Sequence, residues 1–249
     1  MMAHDYPTDP ANFTSSSMVS SNDCDFSPLE RVAQAYMDAA LRGDRTVALK
    51  VIGEAGPAAG LSVGQIYLGV IQATQYEIGK LWVEGKVSVA QEHLATGISQ
   101  LAIAHLYSMM PRNESSGFSV LITCVPGETH DMGPRILADF FEMSGFDVRY
   151  LGADVPVKEI VDAVSRWTPD LVALSATMTY NLPSFRATVD ALRQSFGDEV
   201  LIAAGGQAFD LTPELLDELN IEVRASDARQ LVEISRQVLN RRRDAEVRD

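Results

Sequence analysis

Apolar residues recur at helical spacing through the first half of the chain. Ser27-Pro28 predicts a helix start, and the positions that follow keep a period of 3.6 residues. Gly56-Pro57 predicts a break after the second helix, and Ser88 with Gln91 predicts a capping box before the fourth. The second, third and fourth helices are predicted at about 45–56, 62–82 and 88–110. Four helices with short connections predict a bundle over residues 27–110.

The second half alternates between apolar runs and amphipathic stretches, after a polar linker predicted at residues 111–117. The predicted strands are 118–124, 147–151, 170–175, 199–204 and 221–224. The predicted helices are about 133–144, 156–167, 183–196, 212–219 and 227–242. Five such alternations predict a doubly wound parallel sheet over residues 118–249.

The N-terminal segment, the charge and the cysteines narrow the class of protein. Residues 1–26 are rich in Ser, Asp, Asn and Pro without an apolar period, which predicts a disordered leader. The net charge of −14 disfavours direct nucleic-acid binding, and the chain has no apolar run of the roughly 18 residues that a membrane span needs. Two cysteines in 249 residues cannot build a disulfide framework, so we expect a cytoplasmic protein.

Polar and small residues follow three of the predicted strands. They are Glu128, His130 and Gly133 after the first strand, Ser175 and Thr177 after the third, and Gly205-Gly206 after the fourth. Parallel strands present their carboxyl ends at one edge of a sheet, where ligands bind, so these residues predict one site. The loop after the first strand contains neither GxGxxG nor GxxxxGK[ST], which disfavours a dinucleotide or P-loop site.

The order and spacing of these groups resemble the cobalamin-binding domain family, whose pattern is DxHxxG, then SxL, then GG. The resemblance covers about residues 117–240 and implies a Rossmann-like, flavodoxin-like fold with five parallel strands. It implies that His130 is the lower axial ligand of cobalt. It also implies a slot beside the sheet for the nucleotide tail of the cofactor, lined by Gly133, Ser175, Gly205 and Gly206.

Two positions depart from that pattern. Glu128 stands where the family has an aspartate, one methylene shorter, and Thr177 stands where it has a leucine. We expect Glu128 to hydrogen-bond the second ring nitrogen of His130 and to tune its basicity, although the longer side chain leaves that contact open. The smaller Thr177 is expected to alter the tail slot.

A second group of candidate residues lies in the helical half. Trp82 is followed nine residues later by Glu92 and His93. This spacing resembles the Wx9EH motif of the light-responsive carotenoid-gene repressors, which are adenosylcobalamin photoreceptors. The resemblance implies that Trp82 offers a flat wall to the adenosyl group and that Glu92 and His93 bind it by hydrogen bonds. It also implies that His93 becomes a second cobalt ligand after photolysis.

The leading hypothesis from the sequence is a cobalamin-dependent light sensor that is not an enzyme. Light would cleave the cobalt–carbon bond of adenosylcobalamin, with a change in domain packing or oligomeric state. The segment ahead of the bundle is too short for that family's DNA-binding domain, so the expected partners are other copies in a dimer or tetramer and an unidentified protein. A noncovalent bilin such as biliverdin, as in the photocobilins, is a further hypothesis. For Tyr67, Tyr76, Tyr107 and Tyr180, core packing is favoured over a bilin pocket.

Two alternatives stay open at this point. A corrinoid methyl carrier that serves separate methyltransferases also has a helical bundle before its cobalamin domain. An adenosylcobalamin-dependent isomerase subunit would need a large substrate barrel from another chain.

Overall fold

The computed structural model describes residues 27–225 and 227–246, so the leader predicted at 1–26 lies outside the described residues. Four helices come first. They are α1 (Pro28–Leu41), α2 (Arg45–Lys50, continued by a π-helical turn, Val51–Ala55, and by Gly56–Ala58), α3 (Val63–Ile66, a π-helical turn, Tyr67–Gln72, then Ala73–Val83) and α4 (Val89–Tyr107). This arrangement confirms the predicted order of four helices.

Side-chain caps fix where these helices begin. Ser88 and Gln91 form the capping box that the sequence predicts at α4, and Ser27 and Glu30 form another at the predicted start of α1. In each box the serine hydroxyl accepts from the third backbone N–H, while the Glu or Gln side chain accepts from the N–H of the serine. These bonds satisfy backbone donors that a helix start leaves without partners.

The predicted break at Gly56-Pro57 is wrong. The helix runs on to Ala58, and the chain turns at Gly60, which has a φ of 76°. The π-helical turn before it explains the difference. The N–H of Gly56 donates to the carbonyl of Val51, five residues back, so the wider turn accommodates Pro57 and its missing N–H.

The second half forms a five-stranded parallel sheet in the order β2-β1-β3-β4-β5. The strands are β1 (Ser119–Cys124), β2 (Asp147–Gly152), β3 (Leu171–Ser175), β4 (Leu201–Gly205) and β5 (Val223–Arg224). The helices are α5 (Met132–Met143), α6 (Val157–Trp167), α7 (Leu182–Phe196), α8 (Glu214–Glu218) and α9 (Ala228–Glu246). The fold class predicted from the sequence is confirmed: a helical bundle followed by a Rossmann-like parallel sheet.

The bundle packs against one side of the sheet through α5. Apolar residues of the bundle, of α5, of α9 and of one sheet face form a continuous core. At the boundary the Tyr67 hydroxyl donates to the buried carboxyl of Asp139 at 2.5 Å, and the Tyr107 hydroxyl donates to Glu142 at 2.9 Å. The other sheet face packs against α6, α7 and α8 in a second core. In residues 27–225 and 227–246, no helix combines the length and apolar character needed to cross a membrane.

Candidate functional site

Strand register brings the three predicted groups to one edge of the sheet. Cys124, Ser175 and Gly205 are neighbours across β1, β3 and β4, and each ends its strand. The order of the sheet places β1 beside β3, where the chain direction of the crossovers reverses. Ligands of open α/β sheets bind at such a reversal, outside the carboxyl ends of the strands.

Glu128 is the buried centre of this edge. Its side chain is fully buried, and its two carboxylate oxygens accept five hydrogen bonds. Oε1 accepts from the backbone N–H of His130 at 2.9 Å and lies 2.6 Å from its ring Nδ1. Oε2 accepts from the backbone N–H groups of Thr177 (2.8 Å) and Met178 (3.0 Å) and from the Asn181 amide (2.9 Å). The glutamate therefore ties the loop after β1 to the loop after β3.

These bonds also decide the charge of Glu128. Burial raises the pKa of its carboxyl, but the bonds from His130, Met178 and Asn181 outweigh that cost and lower the pKa to about 2. The group is thus an ionised carboxylate at neutral pH, and a carboxylate can only accept.

The tautomer of His130 follows from that charge. Since the carboxylate of Glu128 can only accept, the Nδ1 of His130 carries the proton and Nε2 keeps its lone pair. The His130 side chain is 54% exposed, so Nε2 is open to a ligand above the sheet edge. A carboxylate that holds one ring nitrogen is the usual support of a metal-binding histidine. The extra methylene of Glu128 does not weaken this contact.

Asn181 and Asp154 are parts of the site that the sequence reasoning missed. Besides its bond to Glu128, Asn181 is 96% buried and its amide lies 3.4 Å from the carbonyl of Gly127. Asp154 follows β2 and accepts from the N–H of Gly127 at 2.7 Å. Their only signal was a polar residue after a strand, at no spacing that a motif describes. Thr177 acts on Glu128 through its backbone N–H, which any residue except proline supplies.

The glycines divide into two kinds. A Cβ at Gly133 or Gly205 would meet nothing within 4 Å, so these positions leave open space beside the strand ends. Gly206 has a φ of 114°, and a Cβ there would lie 2.2 Å from the carbonyl oxygen of Ala176. Gly206 is therefore required by the backbone, because no other residue adopts this conformation without strain. Ser175, which is 8% exposed, lies beside this space at the end of β3.

Helix α3 carries the bundle past this edge. Near its start, Gly64 packs on Phe140 and Tyr67 bonds Asp139, both in the second half of α5. Further along, desolvation raises the pKa of Tyr76, and the nearby carboxylate of Asp210, just after Gly206, raises it further. The helix therefore runs from the flank of α5 to the carboxyl edge of the sheet. Its end at Val83 lies roughly 10 Å beyond Tyr76, since a helix rises about 1.5 Å per residue.

The structure places Trp82, Glu92 and His93 at this far end of the bundle, around the turn between α3 and α4. Trp82 is 48% exposed, so it is not a core residue of the bundle. His93 is 74% exposed and its Nδ1 lies 2.5 Å from the Glu92 carboxylate. Of the four tyrosines expected in the core, only Tyr67 is buried. Tyr76, Tyr107 and Tyr180 are exposed, because each lies on a face that the bundle and sheet leave uncovered.

Two family models, each described as a B12 binding domain, match the chain. One covers residues 118–233 and the other residues 32–107. The first spans the sheet with its Glu128 and His130 loop, and the second spans the bundle with Trp82 and His93. The chain therefore carries B12-binding domains and takes a cobalamin-type cofactor.

Curated relatives extend this result. Dimethylamine corrinoid protein 1 of Methanosarcina acetivorans is 27% identical, over 68% of this chain and 80% of the relative. The dimethylamine corrinoid protein of Methanosarcina barkeri is 24% identical, over 84% of this chain and 98% of the relative. The HTH-type transcriptional repressor CarH of Myxococcus xanthus is 30% identical, over 59% of this chain and 48% of the relative. The monomethylamine corrinoid protein of Methanosarcina barkeri shares the fold, with a TM-score of 0.75, 18% identity, and coverage of 84% of this chain and 98% of that one.

These relatives overturn the light-sensor hypothesis. The match to the transcriptional repressor covers about half of that protein, whereas the corrinoid proteins match over most of their length. The Trp82 and Glu92-His93 spacing was therefore too short a signal to decide between the two classes. Adenosylcobalamin as the specific form and a bilin as a second chromophore stay predictions.

The residues at the sheet edge fit a corrinoid. Within the described ranges, no group of three or more His, Cys, Asp or Glu side chains could hold a bare metal ion. A macrocycle supplies most ligands of its own metal and needs one axial ligand from the protein, as haem does. His130 provides that single nitrogen, and the open space at Gly133 and Gly205 gives a bulky ligand room near the backbone.

Proposed function

We propose that this chain, built from B12-binding domains, is a corrinoid carrier protein of a methyltransferase system. The observation that carries the proposal is the ionised, buried Glu128, which holds His130 with its Nε2 open at the sheet edge. The choice of a carrier rests on the corrinoid proteins, which the chain matches over 80% to 98% of their length. Their names point to methylated amines as the first class of methyl donor to test.

Each candidate residue at the sheet edge then has a defined role. A bound corrinoid supplies a cobalt centre that accepts a methyl group from one partner and gives it to another. His130 would hold it from below, and Glu128 would keep the proton on Nδ1. The slot for the nucleotide tail would be lined by Gly133, Ser175, Thr177, Gly205 and Gly206.

The residues of the bundle would cover the upper face. Trp82, with Val83, Val89 and Leu94 nearby in the chain, leaves a large apolar surface exposed at the bundle end. Met178, Tyr180 and Leu211 do the same on loops at the sheet edge. Exposed apolar side chains at the bundle end and on the loops of the sheet edge are typical of a ligand site, and we call the space between them the gap. We infer that the corrinoid fills this gap, with Glu92 and His93 near its upper ligand.

In this function the chain is not itself an enzyme. It presents the cofactor, and separate methyltransferase proteins carry out the transfers, in agreement with the naming of the relatives as corrinoid proteins. The partners are therefore at least one protein that methylates the cofactor and one that removes the methyl group.

Corrinoid loading tests the proposal. Purified protein should bind both hydroxocobalamin and methylcobalamin with a histidine in place of the nucleotide base. Labelling the protein with ¹⁵N-histidine should change the nitrogen hyperfine splitting in the EPR spectrum of the Co(II) form. His130→Gln should remove that signal and weaken binding at least about tenfold. His105→Gln, in the last turn of α4 and beside Gly53, should leave both unchanged. Binding of adenosylcobalamin but not of methylcobalamin would contradict a carrier function.

A further inference from the structure

A chain of polar side chains crosses the bundle and ends at Glu92. It joins three helices: α1 supplies Tyr36, α3 supplies Gln75, and α4 supplies Ser99, Thr96 and Glu92. The Tyr36 hydroxyl lies 2.9 Å from the Ser99 hydroxyl. Gln75 Nε2 donates to Ser99 Oγ at 2.7 Å and to the Ala95 carbonyl at 3.4 Å, and Gln75 Oε1 accepts from Thr96 Oγ1 at 3.1 Å. Thr96 Oγ1 lies 2.8 Å from Glu92 Oε1.

Burying these polar side chains costs free energy unless each of them forms a hydrogen bond. Tyr36 and Ser99 are fully buried in the middle of an apolar core. Burial raises the pKa of the Tyr36 hydroxyl to about 12, so it stays protonated and can donate. A buried hydroxyl without a partner is strongly destabilising, so the polar residues are best explained by the contacts that they make with each other.

Proton counting shows how Thr96 holds Glu92. The Thr96 hydroxyl has one proton and two acceptor neighbours, and the Glu92 carboxylate is the closer and stronger of them. Gln75 Nε2 donates to Ser99 and to the Ala95 carbonyl, so Gln75 Oε1 faces Thr96 and is its second acceptor. Gln75 and Glu92 together fix the orientation of the Thr96 hydroxyl.

Glu92 passes this constraint to His93. Its second oxygen, Oε2, lies 2.5 Å from Nδ1 of His93, whose ring is exposed at the open end of the bundle. The same arrangement occurs below the gap, where Glu128 holds Nδ1 of His130. Each histidine therefore has one ring nitrogen on a fixed carboxylate and the other directed outward.

We propose that Thr96 and Gln75 are positioning residues, which with Ser99 and Tyr36 hold Glu92, and through it His93, in one orientation towards the ligand on the upper face of the corrinoid. This inference rests on the proposed function for the identity of the cofactor. The hydrogen bonds themselves are present in the protein without any cofactor. In this proposal Thr96 and Gln75 act only through Glu92.

The first experiment needs no cofactor. The chain has four histidines, so ¹⁵N NMR of the ring nitrogens can be assigned with single His→Gln variants of the apo-protein. We expect His93 to carry its proton on Nδ1 in the wild type. Thr96→Val removes the donor at nearly constant volume and should shift His93 towards the Nε2–H tautomer that free imidazole side chains prefer. Thr96→Ser restores the hydroxyl and should restore the Nδ1–H form.

Two further variants support this test, one as a control and one as a second test of the same contact. Thr188→Val removes a buried hydroxyl that donates to a backbone carbonyl in α7, so it should leave the His93 spectrum unchanged. Gln75→Met removes the second contact that fixes the Thr96 hydroxyl, so it should shift the His93 tautomer in the same direction as Thr96→Val but by less. This variant tests the proposal even where Thr96→Val folds poorly. A wild-type Nε2–H tautomer, or a Thr96→Val spectrum identical to the wild type, would overturn the proposal.

The second experiment uses the protein loaded with hydroxocobalamin. The rate at which added imidazole replaces the upper ligand is followed by visible absorbance. Thr96→Val and His93→Gln should change this rate in the same direction, by about fivefold, which is the effect of one ordinary hydrogen bond. Equal rates in wild type and variants would overturn the link to the cofactor. Failure of the wild type to bind hydroxocobalamin would instead contradict the proposed function, while the NMR result would still decide whether the chain positions His93.

Discussion

Asn181 shows how one amide can help to position a histidine that it does not touch. Its N–H₂ group donates to Glu128, and Glu128 holds the ring of His130. The residue is almost fully buried, so its loss leaves a charged acceptor with one bond fewer and no access to water.

We therefore expect Asn181→Asp to lower the free energy of unfolding of the apo-protein by about 3 kcal/mol, because a second carboxylate would face Glu128 in a buried site. Urea unfolding measures the effect. Asn113→Asp makes the same chemical change on an exposed residue and should cost about 0.5 kcal/mol or less. Equal losses in the two variants would show that Asn181 does not support Glu128.

Sequence reasoning at the residue scale singled out His130 and Glu128 but not the residues that hold them. His130 and Glu128 stand at a spacing that a motif describes. Asn181 was hidden, since an asparagine before a helix is an ordinary turn residue. Thr177 looked like a departure from the family pattern, but its backbone N–H makes the contact to Glu128. A hydrogen bond from a backbone N–H does not depend on the side chain, so the residue type does not reveal it.

At the scale of elements, the two glycines at the end of β4 are expected to serve different purposes. Gly205 leaves open space for a ligand, and Gly206 is required by the backbone conformation. Gly205→Ala adds a methyl group in open space, so the stability of the apo-protein should change by about 1 kcal/mol or less. Hydroxocobalamin affinity should fall, because the methyl group takes room that the cofactor needs. Gly206→Ala places its Cβ against Ala176 and forces a strained φ, so it should cost about 2–4 kcal/mol in stability. Thermal unfolding and corrinoid titration of both variants measure the difference. An unchanged affinity for Gly205→Ala would remove Gly205 from the site.

The contact between α3 and α5 predicts a pH dependence. Burial raises the pKa of Asp139 from its ordinary value of 3.8 to about 6, against the opposing effect of the Tyr67 hydrogen bond. A raised pKa in the folded state stabilises the protein below about pH 4 and loses that contribution as the pH rises through 6. Relative to Asp139→Asn, the wild type should therefore lose about 3 kcal/mol of unfolding free energy between pH 4 and pH 7.

Urea unfolding of both proteins at several pH values in this range measures that loss. Asp147→Asn, which changes an exposed aspartate paired with Arg149, should run parallel to the wild type. A parallel curve for Asp139→Asn would show that Asp139 does not titrate at the interface between bundle and sheet.

The same scale shows which elements periodicity could predict. Long helices and buried strands were found close to their true bounds. The two π-helical turns were not found, because a single extra residue in a turn leaves no composition signal. β5 shrank from a predicted 221–224 to Val223–Arg224, as edge strands pair on one side only.

For the whole molecule, corrinoid binding should close the gap between bundle and sheet around Trp82. The chain has two tryptophans, and the other, Trp167, ends α6 away from the gap. Acrylamide quenching of the Trp167→Phe variant, which retains only Trp82, should weaken when hydroxocobalamin binds. In Trp82→Phe, which retains only Trp167, quenching should stay the same. Equal protection of both tryptophans would indicate a general compaction instead.

Helix α3 extends far beyond its hydrogen bond to α5. That bond joins Tyr67 to Asp139, and Trp82 lies fifteen residues further on, about 22 Å along the helix axis. Because displacement grows with distance from the fixed contact, a helix tilt of roughly 10° at Tyr67 would move the indole by about 4 Å, which is about one van der Waals contact distance. A hydrogen bond buried beside the sheet would thus set the distance between Trp82 and a corrinoid bound at the sheet edge.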